Sequence, residues 1–242
     1  VVNKMLERFK EALKDIARAI ELDGNQARYY RQRGVIFKKL EKYEKAISDY
    51  SRAIRLDPEY AEAFNNRGAA YKKIKKYHQA LADYNRAIRL DPGNALFYNN
   101  RGVAHKNLDQ PGKAVADFNQ AIRLDPKVSE FYLNRGNVYK NFGQYQLALA
   151  DLDRAVRLNP DKARIYNSRG RVFRNLGQPQ KAMKDFNEAI RLNPELGDAY
   201  VNRGIGHIGS GNHEPACRDF QKACDMGDCA YLIWARKNGD CE

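Results

Sequence analysis

The sequence predicts an all-α fold, a solenoid of antiparallel helix pairs, and three observations predict it. Six glycines, Gly34, Gly68, Gly102, Gly136, Gly170 and Gly204, recur every 34 residues, and a fixed period of this size is the signature of stacked supersecondary units. Around each glycine the apolar and small residues fall at helical spacing, not in alternation. Five of the repeats end in Asp-Pro or Asn-Pro, at Pro58, Pro92, Pro126, Pro160 and Pro194, where a helix cannot continue.

With each glycine numbered position 8, the repeats are 27–60, 61–94, 95–128, 129–162, 163–196 and 197–230. Residues 1–26 supply the second helix of a truncated N-terminal repeat, and the chain starts in mid-repeat without Met, which reads as a processed or excised chain. In the first helix of each repeat, positions 4, 7, 8 and 11 share one side at about 100° per residue. Position 4 is aromatic: Tyr30, Phe64, Tyr98, Tyr132, Tyr166 and Tyr200. In the second helix, positions 20, 24 and 27 share a side, with alanine at 20 (Ala46 to Ala216) and at 27 (Ala53 to Ala223). The glycine and the alanines are small where helices must approach closely. One pair cannot bury its apolar side alone, so neighbours stack. The last residues, 231–242, form a capping helix and tail; Trp234 holds position 4 of a seventh repeat, so a lone first helix over about 228–237 closes the core.

Composition narrows the function. The formal net charge is +13, which favours an acidic partner. No run of about 18 apolar residues is present, so no membrane-spanning helix is expected. His78, His105, His207 and His213 are scattered, and no phosphate loop, metal-binding helix motif or nucleophile elbow appears. Neither an enzyme nor a cofactor is expected. Nucleic acid is the alternative partner for so basic a chain. Single-strand binding needs exposed aromatic platforms, however, and the repeated aromatics occupy core positions, which makes nucleic acid the weaker reading.

Two charged positions recur without exception. Position 7 is arginine (Arg33, Arg67, Arg101, Arg135, Arg169, Arg203), and position 23 is aspartate (Asp49, Asp83, Asp117, Asp151, Asp185, Asp219). Both flank the apolar sides of their helices. Two readings stand: a repeated interhelical ion pair, or an arginine ladder for a ligand.

Taken together, the aromatic at 4, Gly at 8, Ala at 20 and 27, the aromatic or Leu at 24 and Pro at 32 resemble the tetratricopeptide repeat family over essentially the whole chain. The arginine at position 7 departs from that family's usual apolar residue. The resemblance implies a right-handed superhelix whose first helices line a concave groove, acting as a protein-interaction scaffold. The family's clamp for acidic chaperone tails is not matched: no frame supplies its full lysine, asparagine and arginine set. The first-helix face opposite the core does carry asparagines at positions 5 and 6, namely Asn65, Asn66, Asn99, Asn100, Asn134, Asn167 and Asn202. An amide donor and acceptor match a peptide group, and the series looks like the asparagine ladders that grip an extended peptide backbone. The other reading is that these asparagines satisfy neighbouring backbone groups. Lys72, Lys106, Lys140 and Arg174 at position 12, with Asn137 and Arg171 at position 9, complete the expected site for an acidic, extended protein or peptide ligand.

All four cysteines, Cys217, Cys224, Cys229 and Cys241, fall near the C-terminus. Disulfides, free core thiols and a metal site are all open on composition, although the spacing is not a standard zinc pattern. If the cap runs antiparallel to the last second helix, residues equally far from the turn face each other. This pairs Cys224 with Cys229 and Cys217 with Cys241. The segment KACDMGDC also resembles the cysteine-bearing turns of Sel-like cysteine-rich repeats. Two such bridges would suggest an oxidising compartment, periplasmic or extracellular.

Overall fold

The computed structural model describes residues 2–241, with side chains from residue 7 onward. Val1 and Glu242, the outermost residues of the first and last predicted segments, lie outside the described residues. Every described element is an α-helix, and the chain divides into two compact halves, residues 1–126 and 127–242. The N-terminal half holds α1 (Val2–Leu22), α2 (Ala27–Lys39), α3 (Tyr43–Leu56), α4 (Ala61–Lys73), α5 (Tyr77–Leu90), α6 (Ala95–Asn107) and α7 (Pro111–Leu124). The C-terminal half holds α8 (Ser129–Asn141), α9 (Tyr145–Leu158), α10 (Ala163–Asn175), α11 (Pro179–Leu192), α12 (Gly197–Ile208), α13 (His213–Asp225) and α14 (Ala230–Lys237). In each half consecutive helices pack as hairpins. First helices also touch one another, α2 with α4 and α4 with α6, then α8 with α10 and α10 with α12. Among the described residues no helix is long and apolar enough to cross a membrane.

The repeated glycine has a steric cause. A Cβ on Gly170 would stand 2.6 Å from Phe186 Cε1, and one on Gly34 would stand 2.7 Å from Tyr50 Cε1, both far inside van der Waals contact. The position-24 side chain, a ring in five repeats and Leu152 in the fourth, thus sits against the bare backbone of the first helix. Its sides are closed by the alanines at 20 and 27, which are fully buried or nearly so in all six repeats.

Each first helix ends in the same hydrogen-bonded turn. In α2 the Lys42 N–H donates to Phe37 O at 2.9 Å, and the Glu41 N–H to Lys38 O at 3.1 Å. These are the two bonds of a Schellman motif, which places its C′ residue in the left-handed region. The equivalent bond recurs at 2.9 Å from Lys76, Gln110, Gln144, Gln178 and Asn212. Five second helices, α3, α5, α7, α9 and α11, stop one residue before proline. Asp57 and Asp91 each accept a backbone N–H two residues on, which turns the chain into the next repeat.

The last hairpin is α13 and α14. Leu232 and Ala235 of the cap bury against Ala216 and Phe220, with Ile205 and Ile208 of α12 alongside, and the Tyr231 ring stacks on Phe220 with centroids 5.9 Å apart. The structure holds Cys217 with Cys241 and Cys224 with Cys229 at disulfide distance, with Cα atoms 5.6 and 4.0 Å apart.

Candidate functional site: the first-helix face

The arginines at position 7 are committed to structure. Each forms a two-pronged ion pair with the aspartate of its own repeat. Arg33 Nε donates to Asp49 Oδ2 and its Nη2 to Asp49 Oδ1, both at 2.8 Å. The same fork joins Arg67 to Asp83, Arg101 to Asp117, Arg135 to Asp151, Arg169 to Asp185 and Arg203 to Asp219. The planar fork matches a carboxylate and orients both helices of the pair. Each guanidinium also lies over the position-4 ring one turn earlier, as Arg101 does over Tyr98 at 5.6 Å.

A third contact reaches back to the preceding repeat. Arg67 Nη1 donates to Ser51 Oγ, Arg101 Nη1 to Asn85 Oδ1, Arg169 Nη1 to Asp153 Oδ1 and Arg203 Nη1 to Asn187 Oδ1. All four acceptors occupy position 25. The arginine is therefore a strut within its repeat and between repeats, and a ligand ladder of arginines is not what this geometry provides. The aspartates are buried at 3–6% exposure. Burial pushes the Asp83 carboxyl up from its ordinary value and Arg67 pulls it back, while the bond to Asp83 raises the Arg67 guanidinium. The pair holds its charges at a desolvation cost and specifies docking more than it stabilises.

The asparagines divide into two groups. Asn99, Asn167 and Asn202 are buried, which removes them from the exposed face on which the sequence placed them. Asn202 Nδ2 donates to Asn167 Oδ1 at 3.0 Å and to Asp198 O at 2.7 Å, so both its N–H groups are spent. Asn100 Nδ2 donates to Asn65 Oδ1 at 2.9 Å. Positions 5 and 6 of successive first helices are thus bonded to one another across the repeat boundary, because burial demands partners for amides. Asn66, Asn100, Asn134 and Asn137 remain partly exposed. His105 is a satisfied interior histidine, its Nδ1 2.8 Å from Gln110 Oε1.

The cations of position 12 differ along the chain. Lys38, Lys72 and Lys106 are half-buried on α2, α4 and α6. Burial pushes the Lys38 ammonium down from its ordinary value, and the charges of Lys39 and Lys73 push it further. In the C-terminal half Lys140 is buried and donates to Asn137 Oδ1 at 3.0 Å. Arg174 is half-buried and Arg171 exposed. Burial first, and Arg171 second, lower the Arg174 guanidinium, with Tyr231 acting in the opposite sense.

Sequence reasoning missed the position-25 acceptors. The available signal was that Ser51, Asn85, Asp153 and Asn187 all carry a side-chain oxygen although they differ in size and charge. It also missed that Ile205 and Ile208 end the polar columns of positions 9 and 12 beside the exposed aromatics of the cap.

Comparison with known proteins bears on the fold and the family. No curated protein sequence matches the chain. Among solved structures it is similar to the APC/C hetero-tetramer Cut9–Hcn1, with a TM-score of 0.82 at 16% identity over 90% of this chain; it spans 43% of the length of that one. It is also similar to a tetratricopeptide repeat protein from Parabacteroides merdae, with a TM-score of 0.76, 20% identity, and 96% and 92% of the two chains covered. A third similar structure is YrrB, described as a TPR protein with an unusual peptide-binding site, with a TM-score of 0.57, 23% identity, and 76% and 95% covered. At these identities the likeness concerns the fold. Family profiles described as tetratricopeptide repeat match residues 61–94, 95–128, 118–150 and 136–203, and one described as TPR repeat matches 36–75. With the hairpin pairs, the ring-on-glycine contact and the terminal prolines already in place, these matches show that the chain belongs to the tetratricopeptide repeat family.

Proposed function

We propose that the chain is a non-catalytic scaffold that holds an extended, acidic protein segment against its first-helix face. The observation that carries this is the cluster of Lys38, Lys39 and Lys73, where one half-buried ammonium is pressed by two others. A carboxylate arriving there relieves both the repulsion and the desolvation. Lys72 and Lys106 extend the cationic column on the neighbouring first helices, and the partly exposed side chains of Asn66 and Asn100 add amide groups able to bond a peptide backbone. The disulfide-distance cysteines support an oxidising compartment as the place of work.

The test is fluorescence anisotropy with a short labelled oligoglutamate peptide. The double variant Lys38→Ala/Lys73→Ala should weaken binding about tenfold, or roughly 1.4 kcal/mol, and added salt should weaken it further. Unchanged affinity in the double variant sinks the reading. Tighter binding of a single-stranded oligonucleotide than of the peptide would move the function to nucleic acid.

A further inference from the structure

In the C-terminal half the first-helix face changes character within one repeat. Position 9 runs Asn137, Arg171, Ile205, and position 12 runs Lys140, Arg174, Ile208. Where the columns turn apolar, α12 and the cap helix α14 frame an open cavity of about 480 Å³ lined by Ile205, Ile208, Ala230, Tyr231 and Trp234. That volume is within the range of ligand pockets and holds a large aliphatic or aromatic side chain. Tyr231 is a fixed wall, since its ring is stacked on Phe220. Trp234 is 48% exposed, a large indole left half in water.

Arg174 precedes Ile208 in the position-12 column, on α10, which packs against α12. Arg174 Nη1 is buried and has no hydrogen-bond partner. Arg174 is within electrostatic reach of Tyr231 on the cavity wall and of Arg171. A guanidinium takes carboxylate above other acceptors. An apolar cup next to the half-buried guanidinium of Arg174 and the exposed one of Arg171 fits one class of occupant.

We propose that this cup and Arg174 form a terminal specificity subsite, which takes a bulky apolar side chain of the partner next to a carboxylate. The proposal rests on the peptide-binding reading above and adds the residue pattern the partner must carry. Charge complementarity selects the occupant: an apolar anchor alone would leave Arg174 unpaired, and a basic segment would be repelled by Arg171 and Arg174. The carboxylate can belong to an Asp or Glu side chain or to a chain terminus.

Trp234 is the chain's single tryptophan, so its emission reports on the cup alone. The probes are acetyl-Gly-Leu-Phe-Asp-Gly-amide, its counterpart with Asn for Asp, and acetyl-Gly-Leu-Phe as the free acid, titrated into the oxidised full chain. The Asp peptide should shift Trp234 emission to the blue and saturate, at least tenfold more tightly than the Asn peptide. A response to the free acid equal to that of the Asp peptide assigns the carboxylate to a chain terminus; a weaker one assigns it to a side chain. Arg174→Gln and, independently, Ala230→Glu, which swings a carboxylate of the chain's own into the cup, should each cost tenfold or more with the melting temperature unchanged. No Trp234 response to any peptide, equal affinity for the Asp and Asn peptides, or full affinity in both variants overturns the proposal. If oligoglutamate binding at Lys38 and Lys73 survives that result, only the subsite is lost; if it fails as well, the scaffold reading fails with it.

Discussion

The N-terminal half, residues 1–126, and the C-terminal half, residues 127–242, make the same turn with different residues. After each first helix the chain enters the left-handed region at position 15. In the N-terminal half the residues there are Glu41, Lys75 and Asp109, at φ of 58°, 61° and 54°; in the C-terminal half they are Gly143, Gly177 and Gly211, at 70°, 68° and 72°. The hydrogen bonds that close the turn are the same in both halves. The helix end dictates the conformation, because its last carbonyls need partners, and the residue only sets the cost. Side chains with a Cβ are strained there by about 1–2 kcal/mol, with Asp penalised least. The core repeats the contrast. Position 24 is Tyr50 and Tyr84 in the first two repeats, fully buried with hydroxyls that have no partner, and Phe186 and Phe220 in the last two. Burial pushes both phenols well above their ordinary value. At these two positions the N-terminal half carries a left-handed side chain and a buried free hydroxyl where the C-terminal half has glycine and phenylalanine.

The comparison can be broken most forcefully at the arginine struts. Arg101→Met and Arg169→Met each strand a buried aspartate, and each should destabilise by about 3–5 kcal/mol in urea denaturation. Arg169→Met also releases Asp153, which is 38% exposed and adds only a few tenths to about 1 kcal/mol. A larger loss at Arg101 than at Arg169 would mean that the neutral acceptor Asn85 matters more than a second carboxylate. An intermediate effect tests the turns directly. Lys75→Gly should stabilise by about 1 kcal/mol and Gly177→Lys should destabilise by about 1–2 kcal/mol, both read from thermal melts. If neither moves the melt, the left-handed residue is not what separates the halves. The smallest effect is at the buried phenols. Tyr84→Phe removes a hydroxyl that makes no bond and should leave stability equal or raise it by up to about 1 kcal/mol; a clear loss would reveal an acceptor for that hydroxyl.

Much of the fold was legible because the 34-residue period puts residues of fixed size in fixed phase. A glycine at 8 and a ring at 24 imply each other once the helices pack, and Arg and Asp at 7 and 23 fall on facing sides. The cysteine pairing was legible for a similar reason: in a hairpin, distance from the turn selects the partner. The binding face was less so. Positions 5 and 6 read as an exposed amide series, but exposure depends on how closely neighbouring first helices approach. That approach buries Asn99, Asn167 and Asn202 and turns Asn65 and Asn167 into acceptors for the next repeat. Nothing local to an asparagine encodes this distance. The left-handed turn was hidden in the N-terminal half for the opposite reason, since Glu41 and Lys75 are residues that the conformation disfavours.

The Cys217–Cys241 contact has a mechanical consequence. Cys217 lies in the second turn of α13, and Cys241 follows the cap 24 residues later in sequence, yet their Cα atoms are 5.6 Å apart. With that bridge closed, tension arriving at residue 241 crosses it to α13 and bypasses everything between. The cap helix, only eight residues long and anchored to a neighbour on one side, is then outside the load path. Pulling reaches the last complete hairpin before it can peel the cap, so the shortest of the described helices is sheltered by covalent geometry from the force its position would otherwise make it meet first.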